Sequence, residues 1–263
     1  MTYWEARDGR SLRREAFRPS AIFLGILALF IAAAVMTWNE FGNVRVDVFL
    51  FIVAGWIVSL CLHEYAHAVA AFVSGDRSVA SRGYLTLNPL KYTHPFLSIV
   101  LPLVFVLLGG IGLPGGAVWV DHGAIRSRLR DSLVSFAGPA TNLLFTFLLT
   151  IPIVLFYDVF GLHTAFWAAM AFLAFLQLTA TLINFLPIPG IDGGNIYQPW
   201  LSPGGQQAFR AVAPWGFVIL FALLWSPVLN RYFFDVVYTI GNAIGLPDVL
   251  VSDGYTLFRF WTF

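Results

Sequence analysis

Apolar residues in this chain come in long blocks divided by short polar stretches. The blocks run over Ala21–Trp38, Val46–Val73, Pro95–Leu113, Leu133–Phe156, Thr164–Leu186 and Ala208–Leu229. At 1.5 Å of rise per residue, helices over these blocks approach or exceed the ~30 Å of bilayer hydrocarbon. A weaker stretch, Tyr232–Leu246, is interrupted by Asp235 and Asn242. As a helix it spans roughly 22 Å and is read as interfacial or partly inserted. The polar head contains Arg7, Arg10, Arg13, Arg14 and Arg18. Ala32-Ala33-Ala34 offers a signal-cleavage site, but the long head and full-length first block favour an uncleaved anchor. Gly83–Leu87 alternates as a short strand would, Asn88-Pro89 ends it, and Val118–Val120 is a second candidate edge. The pattern predicts an all-α polytopic membrane protein of about six hydrophobic segments. Five would cross fully and one would return or re-enter, with a small membrane-associated β element beside them.

Composition agrees. Of 263 residues, 59% are hydrophobic and 11% charged, against about 45–50% and about 25% in soluble domains. A net charge of +1 gives no pull toward nucleic acid. The single cysteine, Cys61, excludes an intrachain disulfide and a cysteine-rich zinc site. The abundant Trp and Tyr read as interface anchors, and His94, His122 and His163 fall at segment boundaries.

Against this background, His63-Glu64-Tyr65-Ala66-His67 stands inside the second block, where ionisable groups are costly and usually functional. Histidines four apart share one helix face and can reach one metal, and the glutamate between them can take a proton from a water at that metal. A catalytic zinc normally has three protein ligands. The third candidate is Asp192, in Asn184-Phe185-Leu186-Pro187-Ile188-Pro189-Gly190-Ile191-Asp192-Gly193-Gly194, where prolines and glycines break the helix and turn the carboxylate inward. Asp121-His122 is a weaker competing pair. The arginine-rich head places the N-terminus in the cytoplasm, so the second block ends there with His63 and His67 just below that face. Asp192 reaches the same face only if Pro95–Leu113 returns. That arrangement also keeps 12 of the 15 Lys and Arg inside, leaving out Arg45, Arg231 and Arg259.

The chain resembles the site-2 protease family of intramembrane zinc metalloproteases, in its compact bacterial and archaeal branch without PDZ or CBS domains. The resemblance rests on His63–His67, on Gly138-Pro139-Ala140-Thr141-Asn142, and on Asn184…Pro187…Asp192-Gly193-Gly194. It implies a single integral membrane metalloprotease domain over 1–263 with a catalytic core at about 46–195. It implies one Zn2+ per chain on His63, His67 and Asp192, with Glu64 as the catalytic base. A buried amide at Asn142 or Asn184 would hold the substrate carbonyl or oxyanion, although helix packing is an equal reading of Gly138 and Asn142. The implied activity is hydrolysis of peptide bonds in or near transmembrane segments of other membrane proteins, in a bacterial plasma membrane. Substrate and bilayer would be its partners, and oligomeric state is left open. A catalytically silent scaffold that binds transmembrane helices is the alternative, and an intact Glu64 argues against it. A metal transporter is disfavoured by the few charges within the blocks and the lack of an inverted repeat.

Overall fold

The computed structural model describes residues 16–92, 118–161 and 163–261. Among these residues, five helices are long and apolar enough to cross a membrane, so the protein is an integral membrane protein. α1 (Ala21–Asn39) and α2 (Val44–Ser74) come first, followed by the single turn α3 (Ser78–Ser81). α4 (Arg128–Phe160) and α5 (Thr164–Asn184) follow, then the short α6 (Asp192–Tyr197). α7 (Pro203–Val212) continues through one 3-10 turn into α8 (Gly216–Trp225), and together they make the fifth candidate span. α9 (Pro227–Ala243) and α10 (Asp248–Phe258) meet at 118°.

Small polar residues start these helices. Ser20, Asn43, Ser127 and Ser202 each accept a hydrogen bond from a backbone N–H of the first turn, satisfying donors the helix itself cannot. The Ser127 cap makes α4 longer than its apolar block, because the first turn is polar and reads as loop. α5 forms the axis of the bundle, with its apolar window 89% buried, and packs on α2, α4 and α10. Ala168, Ala169, Ala171, Ala174 and Ala180 are buried along it, and small side chains let neighbouring helices approach. α1 and the α7–α8 span are mostly exposed, as lipid-facing helices are.

The structure corrects the expected β element, since no strand forms among the described residues. Gly83 and Leu87 have φ of 77° and 57°, and they bracket a 3-10 turn at Tyr84–Thr86. Tyr84 and Leu85 are both buried, so the alternating pattern there is a single tucked turn. Val118–Val120 is irregular. The weak tail stretch is helical as far as Ala243 in α9 and ends in the turn that follows, and the chain then folds back as α10 onto α5 and α2. The expected return of Pro95–Leu113 lies outside the described residues. On either side of that segment, Tyr92 Oη donates to the Cys61 carbonyl (3.3 Å) and Val118 N–H to Glu64 Oε2 (2.9 Å). Arg126 N–H donates to the Ser74 carbonyl at 3.4 Å. α4 therefore begins at the end of the bundle where α2 finishes, as a shared metal requires.

Candidate metal centre

α2 carries His63, Glu64 and His67 on its buried face, toward α4 and α5. At 31 residues it is about 46 Å long, and His67 lies about 10 Å before its C-terminal end. Asp192 arrives from another element. After α5 ends, Gly190 turns the chain with φ of 87° and the start of α6 doubles back over the α5 terminus. A Cβ on Gly193 would strike the carbonyls of Phe185 and Leu186, and one on Gly194 that of Ile188. The glycines after Asp192 thus allow the close approach that aims its carboxylate at α2.

The geometry converges on one point. Asp192 Oδ2 lies 3.2 Å from His63 Nε2 and 3.4 Å from His67 Nε2, and the two ring nitrogens are 3.0 Å apart. Glu64 Oε1 is 3.9 Å from His63 Nε2. Behind the rings, His63 Nδ1–H donates to Asn142 Oδ1 (3.3 Å) and His67 Nδ1–H to the Val134 carbonyl (2.7 Å), both on α4. Spending Nδ1–H on these oxygens leaves a lone pair on each Nε2. Two imidazole lone pairs and a carboxylate oxygen then face one another with no donor among them, a crowding that suits a cation. Two nitrogens and one oxygen within 4.8 Å also match the ligand count of a catalytic zinc with an open fourth position. Among the described residues this is the one such group.

No protein-family model and no solved structure matches the chain. Curated relatives do match. A Mycolicibacterium smegmatis protein named "Putative zinc metalloprotease Rip2" is 47% identical over 253 residues, covering 95% of this chain and 96% of its own length. The chain belongs to this zinc metalloprotease family. The Mycobacterium tuberculosis H37Rv protein of the same name is 46% identical over 254 residues, covering 95% of this chain and 97% of that one. "Putative zinc metalloprotease YwhC" of Bacillus subtilis is 32% identical over 184 residues, covering 68% and 81%. The family names imply zinc, and the donor set fits it.

Around the centre lies a cavity of about 300 Å³ in this family member. Glu64, Asn184 and Asn195 reach it, with Ser135, Val118, Val120 and Phe217 on its walls. Of the two candidate amides, Asn184 faces the cavity while Asn142 is turned to His63. Gly138 stands directly against the metal group, since a Cβ there would collide with Nε2 of both His63 and His67. The spacing Gly138-x-x-x-Asn142 carried that signal, because one face of α4 must meet α2 with no side chain and then with an amide. The Val134 carbonyl and Val118 N–H had none, since any residue supplies them. His122 Nδ1 pairs with Asp131 Oδ1 at 2.6 Å, and Asp121 Oδ1 accepts from Gly123 N–H, so among the described residues the competing pair does not assemble with a third ligand. Cys61 is buried among Phe23, Val58 and Leu87.

Proposed function

We propose that the chain is a site-2-type intramembrane zinc endopeptidase that hydrolyses peptide bonds in or near transmembrane segments of other membrane proteins. The observation that carries this reading is the convergence of His63, His67 and Asp192, with Glu64 beside them, on the buried face of a helix apolar enough to cross a membrane. His63 Nε2, His67 Nε2 and Asp192 Oδ2 would hold the zinc, while Asn142 and the Val134 carbonyl fix the ring orientations from behind. Outer partners of this kind set ligand basicity and aim. When bound, zinc supplies Lewis acidity toward the scissile carbonyl and lowers the pKa of water toward neutrality.

The chain's own residues do the rest. Glu64 takes the proton of the attacking water and delivers it to the leaving amine nitrogen. Its Oε2 is held by Val118 N–H, which keeps the carboxylate turned to the cavity. Asn184 is placed to donate from its amide to the substrate carbonyl as charge develops there. The Val118–Val120 backbone borders the cavity and would accept an unwound substrate segment. By the positive-inside rule the N-terminus and the metal centre lie toward the cytoplasm. The chain acts as one integral membrane domain, with a core at about 46–195.

The test is incubation of detergent-purified, zinc-loaded protein with a panel of single-span substrates, mapping cut sites by mass spectrometry. Cuts within or at the edge of the apolar span are expected. Cleavage confined to soluble peptides would overturn the intramembrane reading.

A further inference from the structure

Beside the active cavity is a second cavity of about 460 Å³, which shares His122 with it. Three arginines from two separate stretches line it: Arg126 and Arg128 at the start of α4, and Arg210 on α7. Ser127, Gln198 and Gln206 add neutral polar groups. The one carboxylate on its wall, Asp131, is already paired with His122. None of the three arginines has a carboxylate within ion-pair distance among the described residues. Arg77 and Arg82, close by in sequence to α2's end, instead stack over the rings of Phe72 and Trp119. The cavity wall also includes the first turn of α4, where Ser127 Oγ accepts from Arg130 N–H and the N–H groups of Arg128 and Leu129 have no acceptor within the helix.

Its surroundings suit a membrane surface. Trp200 and Trp215, which flank α7, are 57% and 63% exposed, and tryptophan concentrates at the headgroup level. α7 itself has Arg210 and glutamines alongside Phe209 and Val212. Tryptophans at both ends of α7 suit headgroup depth, and the cavity beside them is roomy enough for a phosphate and its ester substituents. Plain positive-inside bias would scatter these charges over the surface; here two distant stretches, Arg126–Arg128 and Arg210 of α7, meet on one void.

We propose that this cavity binds an organic phosphate, the headgroup of an anionic phospholipid. Guanidinium groups match phosphate oxygens in bidentate fashion. The occupant would bridge the start of α4, which lies behind His67, to α7. That helix follows directly on α6 and Asp192 through Gln198–Trp200, and Trp200 Nε1–H already donates to Ser132 Oγ of α4 at 2.8 Å. A bound headgroup would therefore brace the two elements that the metal centre joins. This inference does not depend on the protease reading.

Native mass spectrometry of the full chain, released from mixed phosphatidylglycerol and phosphatidylcholine vesicles, tests it. The wild type should retain phosphatidylglycerol in preference to phosphatidylcholine. Arg128→Gln with Arg210→Gln should weaken that retention roughly thirtyfold, at ~1 kcal/mol per basic residue. Arg231→Gln, on an exposed arginine of α9, should not alter it. Zinc content equal to wild type shows the double variant to be folded, and Arg128→Lys with Arg210→Lys should keep most of the preference. Adding inorganic phosphate distinguishes the sources. Phosphate that binds at the arginines in the absence of any lipid preference would overturn the lipid assignment, as would equal retention of the two lipids by wild type.

Discussion

The two halves of α2 live in different surroundings although they are one helix. The first half, Val48 to Trp56, is packed against α1, α5 and α10 in a sealed apolar core that includes Phe172, Leu173 and Leu176. The second half carries His63, Glu64 and His67 beside a cavity bounded by α4, the α5 end and α6. In the first half a glycine serves packing: a Cβ on Gly55 would meet Leu173 Cδ2 at 2.6 Å and Phe30 Cε2 at 2.8 Å. In the second half the glycine belongs to the facing helix, and Gly138 leaves room for two imidazoles. One helix thus builds a core from apolar side chains and a candidate reactive site by supplying its ionisable groups with partners. His63, His67 and Glu64 all have one on another element.

The contrast can be broken by swapping the kind of damage. Gly138→Val should abolish stoichiometric zinc binding, measured by metal analysis, while leaving a folded bundle by circular dichroism. Gly55→Val should do the reverse, keeping zinc but lowering thermal stability by about 1–3 kcal/mol through overpacking. Zinc loss in Gly55→Val alone would erase the distinction between the halves. A smaller effect is expected behind the metal. Asn142→Ala should weaken zinc binding by about 10–100-fold, measured by chelator competition, because His63 loses the acceptor that aims it. The smallest effect lies at the rim. The hydrogen bond to Asp131 raises the His122 pKa above its ordinary value. That pairing is complete below the ordinary histidine pKa and is lost as pH rises through the raised one. An NMR titration of His122 should show a midpoint above about 6.5 that falls in Asp131→Asn.

The two halves also differed in how far the residues announced them. The spans were legible because lipid demands apolar blocks, and among the described residues the candidate spans begin and end within about five residues of five of those blocks. The candidate metal group was legible because His63, Glu64, His67 and Asp192 are out of place in such a chain. Less was visible where backbone does the work. Val134 and Val118 contribute a carbonyl and an N–H, which no side-chain pattern encodes. Gly83–Leu87 looked like a strand because one tucked turn buries Tyr84 and Leu85 with the same alternation. The fold-back of α10 depends on a tertiary contact, a close approach of Gly254 to the Ala168 carbonyl, that no local signal marks. Asn142 was singled out as a polar group in a span, but its neighbour His63 is 79 positions away.

The central claim is that Glu64 performs chemistry at a zinc held by the other three residues. It is tested most directly by Glu64→Gln, assayed together for metal content and for cleavage of a single-span substrate. The account predicts about one zinc per chain, as in wild type, with cleavage reduced by about 10²–10⁴-fold or more. Cleavage at the wild-type rate in a zinc-loaded Glu64→Gln protein would contradict it.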